Sequence, residues 1–353
     1  MGRILVTGGA GFVGSSIALR LAARGEHEIV AADNLRRRGS ELNLPRLSAG
    51  GVRFVHADVR AQGDLEGAGA LDAIVECSAE PSVLAGLDGS TDYLVDSNLV
   101  GAYRCFELAR KNDAQVVFIS TSRVYPYGVL QAARLTEDAT RYSLADEQDV
   151  AGLSSRGVSE ELSLEGARSL YGATKLAAEL LLTEYGAAYG VPWAVDRCGV
   201  IAGPWQMGKA DQGVFVHWAR AHWFGAPLRY IGFGGAGKQV RDLLHVDDLA
   251  TLVVDQLAEP AGWNGAVVNV GGGPEVSLSL LETTALCREL TGRTVPVEPS
   301  PDERPADVPV YVSDCSRLYA RTTWRPQRSS REIMEDIVDW IRRNEDDVRR
   351  LPA

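Results

Sequence analysis

No run of about 18 apolar residues occurs in this 353-residue sequence, so no membrane-spanning helix and no membrane partner are expected. Cysteine is sparse: Cys77, Cys105, Cys198, Cys287 and Cys315 are odd in number, scattered, and form no Cys-x-x-Cys pair. That usage fits free, buried thiols in a reducing compartment. Positive charge is in deficit, 36 lysines and arginines against 47 acids for a net −11, which argues against a nucleic-acid partner held by phosphate neutralisation. It does not argue against small anionic ligands, because a pocket can be locally positive on an acidic protein. No charged leader and apolar signal region precede Arg3-Ile4-Leu5-Val6-Thr7, and the expected address is cytoplasmic. His217 and His222 stand five apart, off the i, i+4 spacing of a shared helical metal site, so they read as packing or pocket-lining residues and no metal is expected.

What is present points to an α/β protein. With 45% hydrophobic and 24% charged residues the chain is neither disordered nor of low complexity, and its length suggests two domains. The near-continuous apolar runs at residues 4–6, 28–31, 52–55, 73–75 and 116–119 read as strands buried on both faces of a parallel sheet. Helical patterns separate them. Val13, Ile17 and Leu21 make an i, i+4, i+8 stripe closed by Gly25, and further helices are expected at about 91–111, 171–189 and 332–349. Strand–helix alternation predicts a doubly wound, Rossmann-like domain over 1–196 plus about 240–272. Residues 126–169, without strong periodicity, are expected as an insertion in it, a surface loop or a pocket wall. Residues 197–239 and 273–350, rich in glycine and aromatics after Pro204, are expected to form a smaller α/β substrate domain.

Two patterns carry chemistry. Gly8, Gly11 and Gly14 follow the first strand with G-x-x-G-x-x-G spacing and open the first helix at Phe12 and Val13. There a tight turn, a close backbone approach and a helix N-terminus suit a pyrophosphate. Asp33 ends the second strand, where a carboxylate accepts ribose hydroxyls and repels a 2′-phosphate. It favours NAD, although Arg36, Arg37 and Arg38 follow closely. Asp58-Val59, after the third strand, is placed to cap the adenine amino group. Tyr171 and Lys175 have Y-x-x-x-K spacing, which puts phenol and ammonium on one helix face. A cation beside a tyrosine lowers its pKa from about 10, so the phenolate can take a proton from a sugar hydroxyl while hydride leaves the same carbon. Thr121, at a strand end in Ile119-Ser120-Thr121-Ser122-Arg123-Val124-Tyr125, places a hydroxyl near that oxygen.

These motifs, with Asp33-Asn34-Leu35, Ser78-Ala79-Glu80-Pro81-Ser82-Val83, Asn98, Arg197-Cys198-Gly199-Val200-Ile201-Ala202-Gly203-Pro204, Arg241-Asp242-Leu243-Leu244-His245 and Arg304-Pro305-Ala306-Asp307-Val308, resemble the extended short-chain dehydrogenase/reductase family, specifically its nucleotide-sugar epimerases and dehydratases. The resemblance spans nearly the whole chain. It implies a bound NAD touched by Gly8, Gly11, Phe12, Val13, Asp33, Asn34, Asp58, Val59, Ser78, Ala79, Asn98, Tyr171, Lys175, Cys198 and Val200. It implies a nucleotide-diphosphate sugar reached by Glu80, Ser122, Arg123 and Gln206, with Arg241 and Arg304 on the diphosphate, and a homodimer whose face would be the apolar positions of the 91–111 and 171–189 helices, positions equally compatible with core packing. The family's 4,6-dehydratases carry Asp-Glu after the threonine; Ser122-Arg123 stands here, so epimerisation is expected over dehydration. Asp33-Asn34-Leu35-Arg36-Arg37-Arg38-Gly39-Ser40 with Asn43-Leu44, and Gln239-Val240-Arg241-Asp242, look most like the branch of CDP-paratose (CDP-tyvelose) 2-epimerases. That favours C2 inversion, with C4 inversion second. Glu80 is a departure, readable as a second acid/base or as an acceptor for a backbone amide. The other classes in view are an NDP-sugar dehydratase and a dinucleotide-sensing regulator, the latter having no need of Thr121, Tyr171 and Lys175 together.

Overall fold

The computed structural model describes residues 2–87, 89–208, 212–300 and 302–351. Their packing divides the chain into two compact units: residues 1–124, 170–197 and 246–267, and residues 125–169, 198–245 and 268–353.

In the first unit the elements are β1 (Gly2–Thr7), α1 (Phe12–Ala22), β2 (His27–Asp33), β3 (Arg53–His56), β4 (Ala73–Glu76), α2 (Gly101–Asn112), β5 (Gln115–Thr121), α3 (Leu170–Tyr189), β6 (Trp193–Cys198), α4 (Val246–Ala258) and β7 (Ala266–Val270). The seven strands lie in the order β7-β6-β5-β4-β1-β2-β3. Each pair from β3 through β2, β1 and β4 to β5 is parallel. Strand order therefore reverses between β1 and β4, and in such sheets the crevice at the strands' carboxyl ends is the ligand site. Burial explains the apolar runs. Every residue of β5 is buried, whereas β3, at the edge, is exposed at both ends. One face of the sheet packs Leu5, Ile74, Val116 and Phe118 against Phe106 of α2 and Ala178 and Leu182 of α3, with Phe106 and Phe118 meeting edge to face at 5.7 Å. On α1, Ile17 and Leu21 of the predicted stripe are buried, and α1 packs on α4.

The helix expected at 91–111 runs from Asp92 to Asn112 and carries a π-turn within it. One α-turn (Asp92–Val95) passes into a π-turn (Asp96–Val100) before α2, so the inserted residue turns Asn98 inward. The expected 332–349 helix divides. It runs from Ser330 to Arg343, opened by a Ser329/Glu332 capping box, and stops at Asn344, whose backbone leaves the helical region (φ −120°, ψ 32°). A separate turn of helix follows at Glu345–Arg350.

The second unit differs most from the sequence expectation. Residues 126–169 do not sit as an insertion in the first unit. They form two short hairpins, 135–137 with 142–144 and 153–154 with 157–158, that belong with the second unit. Backbone bonds hold them there: Tyr142 N–H to Lys238 C=O, Val158 N–H to Val312 C=O, and Asp314 N–H to Val158 C=O. Strand Val240–His245, expected in the dinucleotide domain, is instead the centre of this unit's small sheet, flanked by Val200–Ala202, Ser277–Ser279 and Val310–Tyr311. Strand β7 crosses the boundary, and its end with residues 271–272 goes with this unit, since Asp242 packs against Gly271 and accepts the Gly273 N–H. Helices Val214–Phe224, Leu280–Thr291 and Ser330–Arg343 pack together beside it. None of the helices is long and apolar enough to cross a membrane among the described residues.

Asp196 on β6 is fully buried, with Gln256 Nε2 donating to one oxygen at 2.7 Å and the other oxygen unpartnered. Burial pushes its carboxyl up to about 7, and the Gln256 amide pulls the other way. The folded protein thus holds this proton more tightly than the unfolded chain does. The associated stability is present below about pH 4 and is lost as pH rises through 7. Asp196→Asn is accordingly expected to stabilise the protein at pH 8 by roughly 4 kcal/mol and to change nothing at pH 4, read from urea midpoints at the two pH values.

Candidate active site

The first unit builds a glycine turn where β1 meets α1. Gly8 has φ +60°, and a Cβ there would come within 2.9 Å of the Cys77 carbonyl oxygen. Gly14 is as constrained, because a Cβ would drive into the Gly8 carbonyl. No side chain fits at either position, so backbone lies bare at the reversal between β1 and β4. Gly11 caps α1 without a side-chain bond, and Phe12 and Val13 supply the helix's first amides. Those amides have no intrahelical partners, and the helix dipole favours an anion beside them.

Asp33 is aimed by backbone donors, Ala10 N–H at 3.1 Å to Oδ2 and Leu35 N–H at 2.8 Å to Oδ1. Leu35 takes φ +54° to make the second bond. A carboxylate has about four lone-pair sites, so acceptor capacity remains for a ribose diol. Burial pushes the Asp33 carboxyl up, and the Leu35, Ala10 and Gly11 amides oppose it. The cradle and the carboxylate therefore fit a dinucleotide with an unphosphorylated ribose. Asp58 is engaged within the protein: Arg60 grips it in a fork, Nη2 to Oδ2 at 2.7 Å, and Asn34 Nδ2 donates to Oδ2 at 3.0 Å. The Arg60 guanidinium holds the Asp58 carboxyl down at about 2. Its acceptor positions are filled, so capping an adenine amino group would require displacing one of these donors. Val59 is buried in the core against Gly101.

Tyr171 is the second residue of α3, and Lys175 follows one turn later on the same face. A phenolate in the first turn of a 20-residue helix lies at the positive end of the dipole. Lys175 is 1% exposed, its Nζ 3.8 Å from the Phe118 ring centroid and 3.4 Å from Glu76 Oε2. Glu76 was missed by the sequence reading. A visible signal existed, an acid closing the apolar strand Ala73-Ile74-Val75. Thr121 ends β5, and its Oγ1 accepts the Arg123 N–H at 3.2 Å, which leaves the hydroxyl proton to be donated elsewhere. Ser122 and Arg123 form the half-buried turn after it.

Asn98, expected to touch the cofactor, has its amide engaged within the protein. Oδ1 accepts the Glu80 N–H at 2.7 Å, and Nδ2 donates to the Glu80 carbonyl at 3.1 Å and to Thr174 Oγ1 at 3.3 Å. It thereby ties the Ser78-Ala79-Glu80 loop to α3. Ser78 donates its N–H to Glu76 Oε1, and Glu80 Oε1 accepts the Ser82 N–H at 3.3 Å. Below these residues a second buried pair fixes α3. Arg197 on β6 grips Glu179 through Nη2 at 2.7 Å and Nε at 3.1 Å, and Ser120 Oγ donates to the same carboxylate.

In the second unit, Cys198 is buried and Val200 pairs with Leu243. Gln206 Nε2 donates to the Ile201 carbonyl at 3.1 Å, directly after Trp205 at φ +69°. Arg241 is held by Asp307, Nη2 to Oδ1 at 2.6 Å, and by the Val308 and Val240 carbonyls. Arg304 is half-buried on the same loop, and its carbonyl accepts the Asp307 N–H. His222 is buried with Nδ1 against the Trp218 carbonyl.

Residues 4–271 match the model of the NAD dependent epimerase/dehydratase family. Among curated proteins, CDP-paratose 2-epimerase of Salmonella typhi is 29% identical, with 96% of this chain and 98% of that protein covered. A dTDP-glucose 4,6-dehydratase of Escherichia coli is 26% identical over 97% of this chain and 93% of that protein. Among solved structures, UDP-glucose 4-epimerase of Thermus thermophilus in complex with NAD superposes with a TM-score of 0.75, at 28% identity, covering 96% of this chain and 99% of that one.

The Arg197–Glu179 pair yields a stability test. Removing one partner strands the other charge in the interior, a loss of about 3 kcal/mol. Arg197→Met is expected to lower stability by that order, and Arg197→Met with Glu179→Leu to recover most of it, measured by urea unfolding.

Proposed function

The chain belongs to the NAD dependent epimerase/dehydratase family, and within it we propose that the protein is a nucleotide-sugar epimerase, with C2 of a CDP-sugar as the favoured centre of inversion. The observation that carries this reading is the joint presence of Thr121, Tyr171 and Lys175 with a turn that continues as Ser122-Arg123 rather than as two acids. NAD, when bound at the glycine turn and Asp33, supplies reversible hydride acceptance, so the cycle has no net redox. Tyr171, as phenolate, takes the proton of the sugar hydroxyl while Thr121 donates a hydrogen bond to the same oxygen. Lys175 and the positive end of α3 favour that phenolate electrostatically. The carbon is left as a transient ketone. Arg241 and Arg304 hold the diphosphate, since guanidinium forks match phosphate oxygens. The sugar turns about that anchor and presents its other face, and Tyr171 returns the proton.

Support for C2 and for CDP comes from the branch likeness and from the Salmonella typhi relative. C4 inversion is the second reading, favoured by 4-epimerase relatives such as the UDP-glucuronate 4-epimerase of Thermodesulfobacterium geofontis. A dehydratase would need an acid near the sugar, and Glu80 is the carboxylate on that loop. A dinucleotide sensor leaves the Thr121, Tyr171 and Lys175 set without purpose. We also propose that the protein works as a cytoplasmic homodimer. Tyr103 on α2 and Leu180 and Tyr189 on α3 are 44%, 63% and 60% exposed, apolar surface on two helices that pack side by side.

Incubation with CDP-, UDP-, GDP- and ADP-sugars tests the function. An epimer of unchanged mass is expected from a CDP-sugar, whereas loss of water would overturn epimerisation. Tyr171→Phe should lower kcat by about 10²- to 10⁴-fold, the usual worth of a positioned base, and leave NAD content unchanged. For the dimer, sedimentation should give twice the 38.0 kDa chain mass, and Leu180→Glu should shift it to monomer.

A further inference from the structure

Glu76 is wholly buried at the end of a strand whose other residues are apolar, an unfavourable place for a carboxylate. Its two oxygens are both used. Oε2 faces Lys175 Nζ at 3.4 Å, and Oε1 accepts the Ser78 N–H at 2.9 Å. We propose that Glu76 is a positioning residue: its carboxylate holds the Lys175 ammonium charged and in place one helical turn from Tyr171, and so sets the pH at which the phenolate forms. The proposal rests on Tyr171 being the base.

Burying an ammonium without a counter-charge is strongly unfavourable, and a buried amine left alone is held in its neutral form. A neutral Lys175 would lend Tyr171 no field. The groups facing the pair from the surrounding elements do not replace Glu76. On β1, Thr7 is uncharged. The Cys77 thiol after β4 and the Cys105 thiol on α2 are pushed well up by burial and stay neutral. Asp196 on β6 is engaged by Gln256, and Glu179, one turn further along α3, by Arg197 and Ser120. Phe118 on β5 offers only its ring face, which attracts a cation without neutralising it. Burial pushes the Glu76 carboxyl up and the Lys175 ammonium pulls it down. The Ser78 N–H donated to Oε1 selects the ionised pair, because a carboxylate accepts that bond better than a carboxylic acid does.

The test titrates Tyr171 directly. Phenolate absorbance near 295 nm is followed against pH in the NAD-loaded protein, with Tyr171→Phe subtracted, for wild type, Glu76→Asp and Glu76→Gln. The midpoint is expected to rise by about one pH unit or more in Glu76→Gln and by a smaller step in Glu76→Asp, where the charge remains but is drawn back by a methylene. The acid limb of kcat/KM should move with it. An unmoved or lowered midpoint, or an Asp variant displaced as far as the Gln variant, overturns the proposal. If Glu76→Gln does not fold, Glu76→Asp alone decides by whether its midpoint rises. The titration needs no substrate, so it separates this idea from the epimerase reading: failure of every sugar nucleotide to turn over leaves the midpoints readable. Turnover with unmoved midpoints sinks only the role of Glu76.

Discussion

Tyr171, Lys175 and Glu179 share one stripe of α3, and the two charged members of that stripe are buried. Burial obliges each charge to find a partner, and the partners come from different strands: Glu76 from β4 for Lys175, Arg197 from β6 for Glu179. Ser120, next to Thr121 on β5, joins the second pair. The helix that carries Tyr171 is thereby tied to three strands at the carboxyl end of the sheet. Replacing such pairs by apolar side chains is often neutral or stabilising, so their contribution lies in fixing where α3 sits rather than in net stability. Asn98 extends the same logic. Its amide joins α3 to the loop after β4, and the π-turn that aims it inward is a local irregularity at the site's edge.

The electrostatics of the site run against those of the whole molecule. The chain carries eleven excess negative charges, yet dinucleotides and nucleotide sugars are anionic. Attraction must therefore be local. In the first unit it comes from the bare amides of the glycine turn and the start of α1, where the absence of side chains lets an anion reach the backbone. In the second unit, Arg241, whose guanidinium is oriented by Asp307, and Arg304 on the loop of Asp307 are the residues we propose for the diphosphate.

Parts of this arrangement could be read directly from the residues. The strands of the first unit, its glycine turn, Asp33 and the Tyr171/Lys175 spacing depend on periodicity and on contacts a few residues apart, and each is visible in a short window. The π-turn at residues 96–100 and the break at Asn344 were not visible, because each is a local backbone adjustment that leaves no mark in the apolar pattern. The domain assignment of 126–169 failed for a related reason. Two short hairpins leave a weak pattern, and what fixes them is backbone pairing to Lys238, Val312 and Asp314.

The sequence by itself determined the doubly wound first unit, the glycine turn and the one-face spacing of Tyr171 and Lys175, because these follow from local steric rules and helical spacing. Tertiary structure alone decided which groups are engaged and which are left open. Asp58 and Asn98 are occupied by protein donors and acceptors, Arg241 is paired with Asp307, and Lys175 meets Glu76 across 99 residues of chain. The physical reason is desolvation: once a polar group is buried its partner is whatever the fold brings within about 3.5 Å, and that depends on packing between elements far apart in sequence.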